Sequence, residues 1–255
     1  PRAALRAAAL KFAAWLTSKG IKKGDRVAAI VANIPEAIIA MLGTSAIGAV
    51  FSSCSPDFGE AGILDRFGQI KPRILVAVDG YTYAEKALDI RQKVQAVRAG
   101  LPTVEHLVMV PYRGLDVPQG AVNWETIQSE DAPADFRFAR FAARDPLYIM
   151  FSSGTTGKPK CIVHSIGGTL LQHVKEHRLH CDIHDGEPMF YFTTCGWMMW
   201  NWLVTGLASG ATLLLFDGSP FAGGGRAIFD IAEKEKATFL GLSAKFIDGL
   251  KKAHL

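Results

Sequence analysis

Between Ser152 and Lys160 the chain reads Ser-Ser-Gly-Thr-Thr-Gly-Lys-Pro-Lys. Ser152, Ser153, Thr155 and Thr156 supply hydroxyl donors, Gly154 and Gly157 let backbone N–H groups approach an anion, and Lys158 and Lys160 supply positive charge. Such a loop suits a polyphosphate. The preceding Tyr-Ile-Met-Phe run, residues 148–151, predicts a short buried strand that delivers the loop. A Walker A loop would need Ser or Thr directly after its lysine. Pro159 follows Lys158 here, so a Ras-like or ATPase-like site is disfavoured.

Other elements must hold that loop in place. With 255 residues and 49% hydrophobic composition, the chain can bury a sizeable core as one large or two small domains. Continuous apolar runs at 27–32 and 74–78 read as buried parallel strands, and further strands are expected at 49–52 and 106–110. Helical periodicity covers 3–16, 37–47, a stretch opening at Ser55-Pro56-Asp57 and reaching about residue 70, and 83–97. Residues 111–146 carry a weak signal, with one short helix at 124–129. Helices at 168–179, 197–207 and 225–236 then alternate with strands at 189–193, 211–216 and 238–240. The expected class is therefore α/β, with mostly parallel sheets flanked by helices in two units, 1–144 and 145–255. Pro1 is not an initiator methionine and both ends fall in helical register, so the chain is expected to be part of a longer protein.

The nine-residue loop and the strand before it resemble the phosphate-binding signature of the adenylate-forming superfamily, which includes acyl-CoA synthetases, luciferases and peptide-synthetase adenylation domains. Gly24-Asp25-Arg26-Val27, Asn33-Ile34-Pro35-Glu36, Phe51 to Pro56, Lys71-Pro72-Arg73 and the stretch from Tyr191 to Trp202 are similar to acyl-CoA synthetases in particular. The resemblance runs through essentially the whole chain. It implies the large N-terminal domain of a ligase that joins a short-chain or β-keto acid to CoA through an acyl-adenylate, with ATP and Mg²⁺. By the same resemblance, Ser152, Ser153, Gly154, Thr155, Thr156, Gly157 and Lys158 cradle the β- and γ-phosphates with Lys160 beside them. Trp197, Met198 and Met199 line the acyl pocket, and Phe51, Ser52 and Ser53 lie where relatives contact the nucleotide end of CoA. The motifs that relatives use for adenine, ribose and the mobile C-terminal lid domain do not occur in these residues, so the piece alone is expected to have little or no activity.

Several other readings compete. A Met and aromatic stripe at helical spacing, such as 197–202, is in general more often core. Cys161-x-x-His164 and Cys181-x-x-His184 flank His173, His177 and His180, a spacing that could in principle bind zinc; no metal site is expected, because Cys161 and His164 belong to the phosphate-loop segment. Gly223-Gly224-Gly225 follows Pro220 rather than a strand, which argues against a dinucleotide fingerprint. Ser45, Ser165, Cys54 and Cys195 have no evident His and acidic partner, leaving a hydrolase unsupported. A noncatalytic nucleotide-binding or scaffold fragment is the remaining alternative. The formal charge of +4 is scattered, so nucleic acid is not expected as a partner. No stretch has the ~18 consecutive apolar residues of a membrane span, no signal peptide is seen, and four sparse cysteines fit a reducing cytoplasmic setting.

Overall fold

A computed structural model of the chain describes residues 1–83, 86–152 and 157–253. Its larger sheet has seven strands in the order β7-β6-β3-β1-β2-β8-β9. These are β1 (Arg26–Ile30), β2 (Val50–Cys54), β3 (Ile74–Val78), β6 (His106–Val110), β7 (Val122–Asn123), β8 (Pro146–Phe151) and β9 (Cys161–Ser165). Every neighbouring pair is parallel except β8 and β9, which run antiparallel. The apolar composition of the central strands follows from their burial on both faces: all five residues of β3 are buried, as helix-covered parallel strands require.

Helices α1 (Arg2–Ser18) and α2 (Pro35–Ala46) pack closely. Their approach depends on Gly43, where an added Cβ would lie 2.8 Å from Phe12 Cδ1 and 2.9 Å from the Ala9 carbonyl oxygen. Pro35 occupies the first turn of α2, where its missing N–H costs nothing. Asn33 does not cap that helix. Its Oδ1 accepts from Trp200 Nε1 at 2.9 Å, tying the end of β1 to α7 (Met198–Thr205).

A smaller parallel sheet, ordered β11-β10-β12, is built from β10 (Pro188–Tyr191), β11 (Thr212–Leu214) and β12 (Phe239–Gly241). The sheets do not change over at residue 145. β8 and β9 complete the larger sheet, because Phe51 of β2 pairs with Tyr148 and the Ser52 hydroxyl donates to the Ile149 carbonyl at 2.8 Å.

Two element boundaries differ from expectation. Helix α3 (Glu60–Ile70) starts at Glu60 behind an extended Gly59, not at Ser55, since Ser55 is buried in a turn whose carbonyl accepts from Phe58 N–H. The helix expected over 83–97 is instead an antiparallel pair, β4 (Gly80–Tyr83) with β5 (Lys86–Asp89), followed by α4 (Arg91–Ala99). Asp89 Oδ1 accepts from the Arg91 N–H at 2.9 Å and opens α4, while Tyr81-Thr82-Tyr83 favours strand. The short helix α5 (Trp124–Ser129) stands where expected, its Asn123 side chain accepting from Glu125 N–H. Ser243 likewise caps α9 (Ala244–Lys252) by accepting from Phe246 N–H, and α8 (Ala227–Lys234) precedes β12.

Candidate active site

The strand-to-loop break is where the sequence placed it. β8 ends at Phe151, and the loop is closed at its base by a reciprocal pair: Ser152 N–H donates to the Lys160 carbonyl and Lys160 N–H donates to the Ser152 hydroxyl, both at 3.0 Å. Ser153, Gly154, Thr155 and Thr156 lie outside the described residues. Of the other residues expected to form the cradle, Gly157, Lys158 and Lys160 are exposed, so the lysine ammonium groups reach solvent. β9 then carries the chain away as an exposed edge strand, a strand that periodicity did not reveal.

Helix α3 supports this loop, a role the sequence left unread. Asp65 Oδ1 stands 3.6 Å from Lys158 Nζ, and Gln69 Nε2 donates to the Pro159 carbonyl at 2.8 Å. The Arg66 guanidinium lies over the rings of Phe58 and Phe151, 4.9 and 6.0 Å from their centroids. A carboxylate, a cation and an amide thus sit along one side of α3 at the loop. The available signal was that Gln69 lies one helical turn past both Asp65 and Arg66, in a segment otherwise read only as helical.

Trp197, Met198 and Met199 come together at the start of α7, around a cavity of about 370 Å³ that is also lined by Tyr191, Phe192, Thr193, Thr194 and Ser243. Trp197 is 57% exposed, so it is a wall and not a core residue. The core reading does hold one turn on, where Trp200 is wholly buried against Phe51 with ring centroids 6.2 Å apart. A second cavity of about 350 Å³ shares only Met198 with the first and is bounded by β9 and α6 (Ile166–Lys175).

Phe51 and Ser52 are buried inside the sheet, and Ser53 is half-buried. The Ser53 hydroxyl donates to the Cys195 carbonyl at 2.6 Å, and Cys195 Sγ is 3.2 Å from the Ala32 carbonyl. The two serine hydroxyls are therefore engaged in joining β2 to β8 and to the turn before α7. Burial pushes the Cys54 thiol up to about 12 and that of Cys195 well above its ordinary value, which makes both poor nucleophiles. Ser45 donates to the Met41 carbonyl, and Ser165 accepts from Gly168 N–H as the cap of α6, so both serve helices.

The histidines do not gather into a metal centre; among the described residues no three His, Cys, Asp or Glu side chains form a cation-binding group. His173 Nδ1 lies 2.7 Å from Thr205 Oγ1. His177 sits in a π-helical turn, Glu176–His180, against Trp202 at 4.3 Å between ring centroids, with Ser209 Oγ 3.3 Å from its Nδ1. Burial pushes His177 down to about 4 and lowers His173 and His164 as well. No helix among the described residues is long and apolar enough to cross a membrane.

A mostly parallel sheet thus delivers a Gly-, Thr- and Lys-rich loop at the end of β8, and a tryptophan walls a cavity at the start of α7. The chain belongs to the AMP-binding enzyme family, whose pattern matches residues 3–254. It is 53% identical to an acetoacetyl-coenzyme A synthetase of Rhizobium meliloti (strain 1021) over 97% of its length, and 42% identical to the mouse acetoacetyl-CoA synthetase over 94%. It superposes on the acetoacetyl-CoA synthetase of Streptomyces lividans with a TM-score of 0.95, at 43% identity and 99% coverage. The chain spans 39% of the Rhizobium and Streptomyces proteins and 37% of the mouse one.

Proposed function

We propose that this chain provides the phosphate loop and acid pocket of an AMP-forming ligase that joins acetoacetate to CoA. The observation carrying this reading is the closed base of the Ser152–Lys160 loop at the end of β8, in a chain that also has a cavity walled by Trp197 and is so similar to three acetoacetyl-CoA synthetases. In the first half-reaction the acid carboxylate attacks the α-phosphate of ATP, giving acyl-adenylate and pyrophosphate. In the second, the CoA thiol displaces AMP.

The difficulty of the first step is electrostatic, since one anion must approach another. Lys158 and Lys160, with the N–H groups and hydroxyls of 152–157, would hold the β- and γ-phosphates and stabilise charge on the departing pyrophosphate. The donors near the loop, the Ser152 hydroxyl and the Asp65 carboxylate, are hard oxygens, a chemistry that suits Mg²⁺ carried mainly on phosphate oxygens and water. When bound, the ion would offset the repulsion between nucleotide and carboxylate. Trp197 closes the acid pocket, with Met198 and Met199 shaping it through flexible side chains. A cytoplasmic setting accords with this chemistry.

Acid-dependent ATP–pyrophosphate exchange tests the reading, measured on the 255-residue chain and on a form extended to the length of its relatives. Exchange driven by acetoacetate over acetate is expected in the extended form. Preference for acetate would remove acetoacetate as the acid, and exchange independent of any acid would remove the ligase.

A further inference from the structure

The reciprocal bond between Ser152 and Lys160 ties the two ends of the phosphate loop to each other. It leaves open what holds that base against the helix beside it. One side chain takes that part. Among the described residues, the hydrogen bonds that residues 157–161 make outside the β8–β9 hairpin all go to Gln69 of α3. Gln69 Nε2 donates to the Pro159 carbonyl at 2.8 Å and to the Asp65 carbonyl of its own helix at 2.6 Å. Both amide hydrogens are thus engaged by carbonyls. Gln69 Oε1 then faces the Cys161 thiol, 3.6 Å away.

The Pro159 carbonyl belongs to the same peptide unit as the Lys160 N–H, and that N–H donates to the Ser152 hydroxyl at 3.0 Å. One planar group is therefore held from both ends, by α3 on one side and by the end of β8 on the other. The Lys160 carbonyl accepts from Ser152 N–H at 3.0 Å and holds the next plane. Together the two planes flanking the Lys160 Cα fix its φ and ψ, and with them the direction in which its Cβ leaves. Pro159 adds stiffness, because it is buried and its ring sets its own φ.

What is aimed in this way is a cation. Lys160 is exposed and forms no ion pair among the described residues, whereas Lys158 has Asp65 at 3.6 Å. A surface lysine gives up rotamer freedom when it settles on an anion. Starting its stem from a fixed direction lowers that cost, and no carboxylate has to be displaced first.

We propose that Gln69 is a positioning residue for ATP: by holding the Pro159–Lys160 peptide it directs the Lys160 ammonium toward the terminal phosphates before the nucleotide arrives. The inference rests on the ligase reading above. In it, α3 acts on the nucleotide only through the loop, and the acid is bound elsewhere.

The test is MgATP titrated calorimetrically into the extended form of the wild type, Gln69→Met, Lys160→Met and the double variant. Acid-dependent ATP–pyrophosphate exchange is measured alongside on the wild type and Gln69→Met. Met matches Gln in length and is a good helix former at this exposed site, so the helix stands while both bonds to the loop are lost. The dissociation constant for ATP is expected to rise about fivefold in Gln69→Met, with the KM for acetoacetate unchanged. In the Lys160→Met background the same substitution should add nothing. A Gln69→Met constant equal to that of the wild type overturns the inference, as does an unaltered constant in Lys160→Met. An equal added loss in both backgrounds also overturns it, since Gln69 would then brace the loop without acting through this lysine. Failure of the ligase reading is distinct: the wild type would then show no exchange dependent on acetoacetate or acetate.

Discussion

Ser152 and Lys160 bond each other in both directions, main chain to main chain and main chain to side chain, each at 3.0 Å. Eight residues apart, they fix the two ends of the phosphate loop at one separation whatever the intervening residues do. Ser152→Ala keeps the first bond and loses the second, leaving the Lys160 N–H without this partner. A loss of about 1 kcal/mol in denaturant unfolding is expected, together with weaker ATP binding, checked by titration.

Lys158 tests the electrostatic role without disturbing the fold. Its side chain is 78% exposed and its nearest carboxylate partner is Asp65 at 3.6 Å, so Lys158→Ala should leave the thermal midpoint unchanged. ATP–pyrophosphate exchange in the extended form should fall about 10²-fold. Unchanged exchange would take Lys158 out of the cradle.

Trp197 is exposed yet walls the cavity proposed to take the acid, so shortening it enlarges the pocket without opening the core. Trp197→Ala should raise kcat/KM for hexanoate relative to acetoacetate by about tenfold. A ratio that does not move would put the wall elsewhere.

The buried histidines give stability a direction in pH. His177 is held at about 4 by burial, against about 6.5 for the unfolded residue. Between those values the unfolded chain binds a proton that the folded chain refuses. Stability is therefore fully present above about 6.5 and is lost as pH falls toward 4. His173 and His164 shift the same way. Urea midpoints measured from pH 7 to 4 should decline, and less steeply in His177→Phe than in the wild type; parallel curves would remove His177 from this effect.

The parallel core was legible because burial on both faces leaves nothing but apolar residues in strands such as 74–78. The loop was legible because its chemistry breaks so sharply from the strand before it. β9 was not: its Ile162 and Val163 are exposed, and five residues between a loop and a helix cap carry little periodicity. Residues 83–97 looked helical because period-3.6 and period-2 patterns overlap in short mixed stretches, and the pairing of Gly80 with Asp89 is a tertiary fact. The resemblance puts Phe51, Ser52 and Ser53 where relatives contact CoA, and what the sequence could not show is where the two serine hydroxyls bond within the fold. Their partners, Ile149 and Cys195, are about 100 residues or more further along the chain.

That separation also orders events during synthesis. The strands β1, β2, β3 and β6 are all made by residue 110 and can pair with one another before β7 and β8 exist. β8 has no place to dock until β2 offers its free edge, and closing so long a loop is entropically costly and slow. The β8–β9 hairpin is thus a late arrival on an existing platform, and nascent chains halted before β9 should already protect the amides of β1 and β3 from hydrogen exchange.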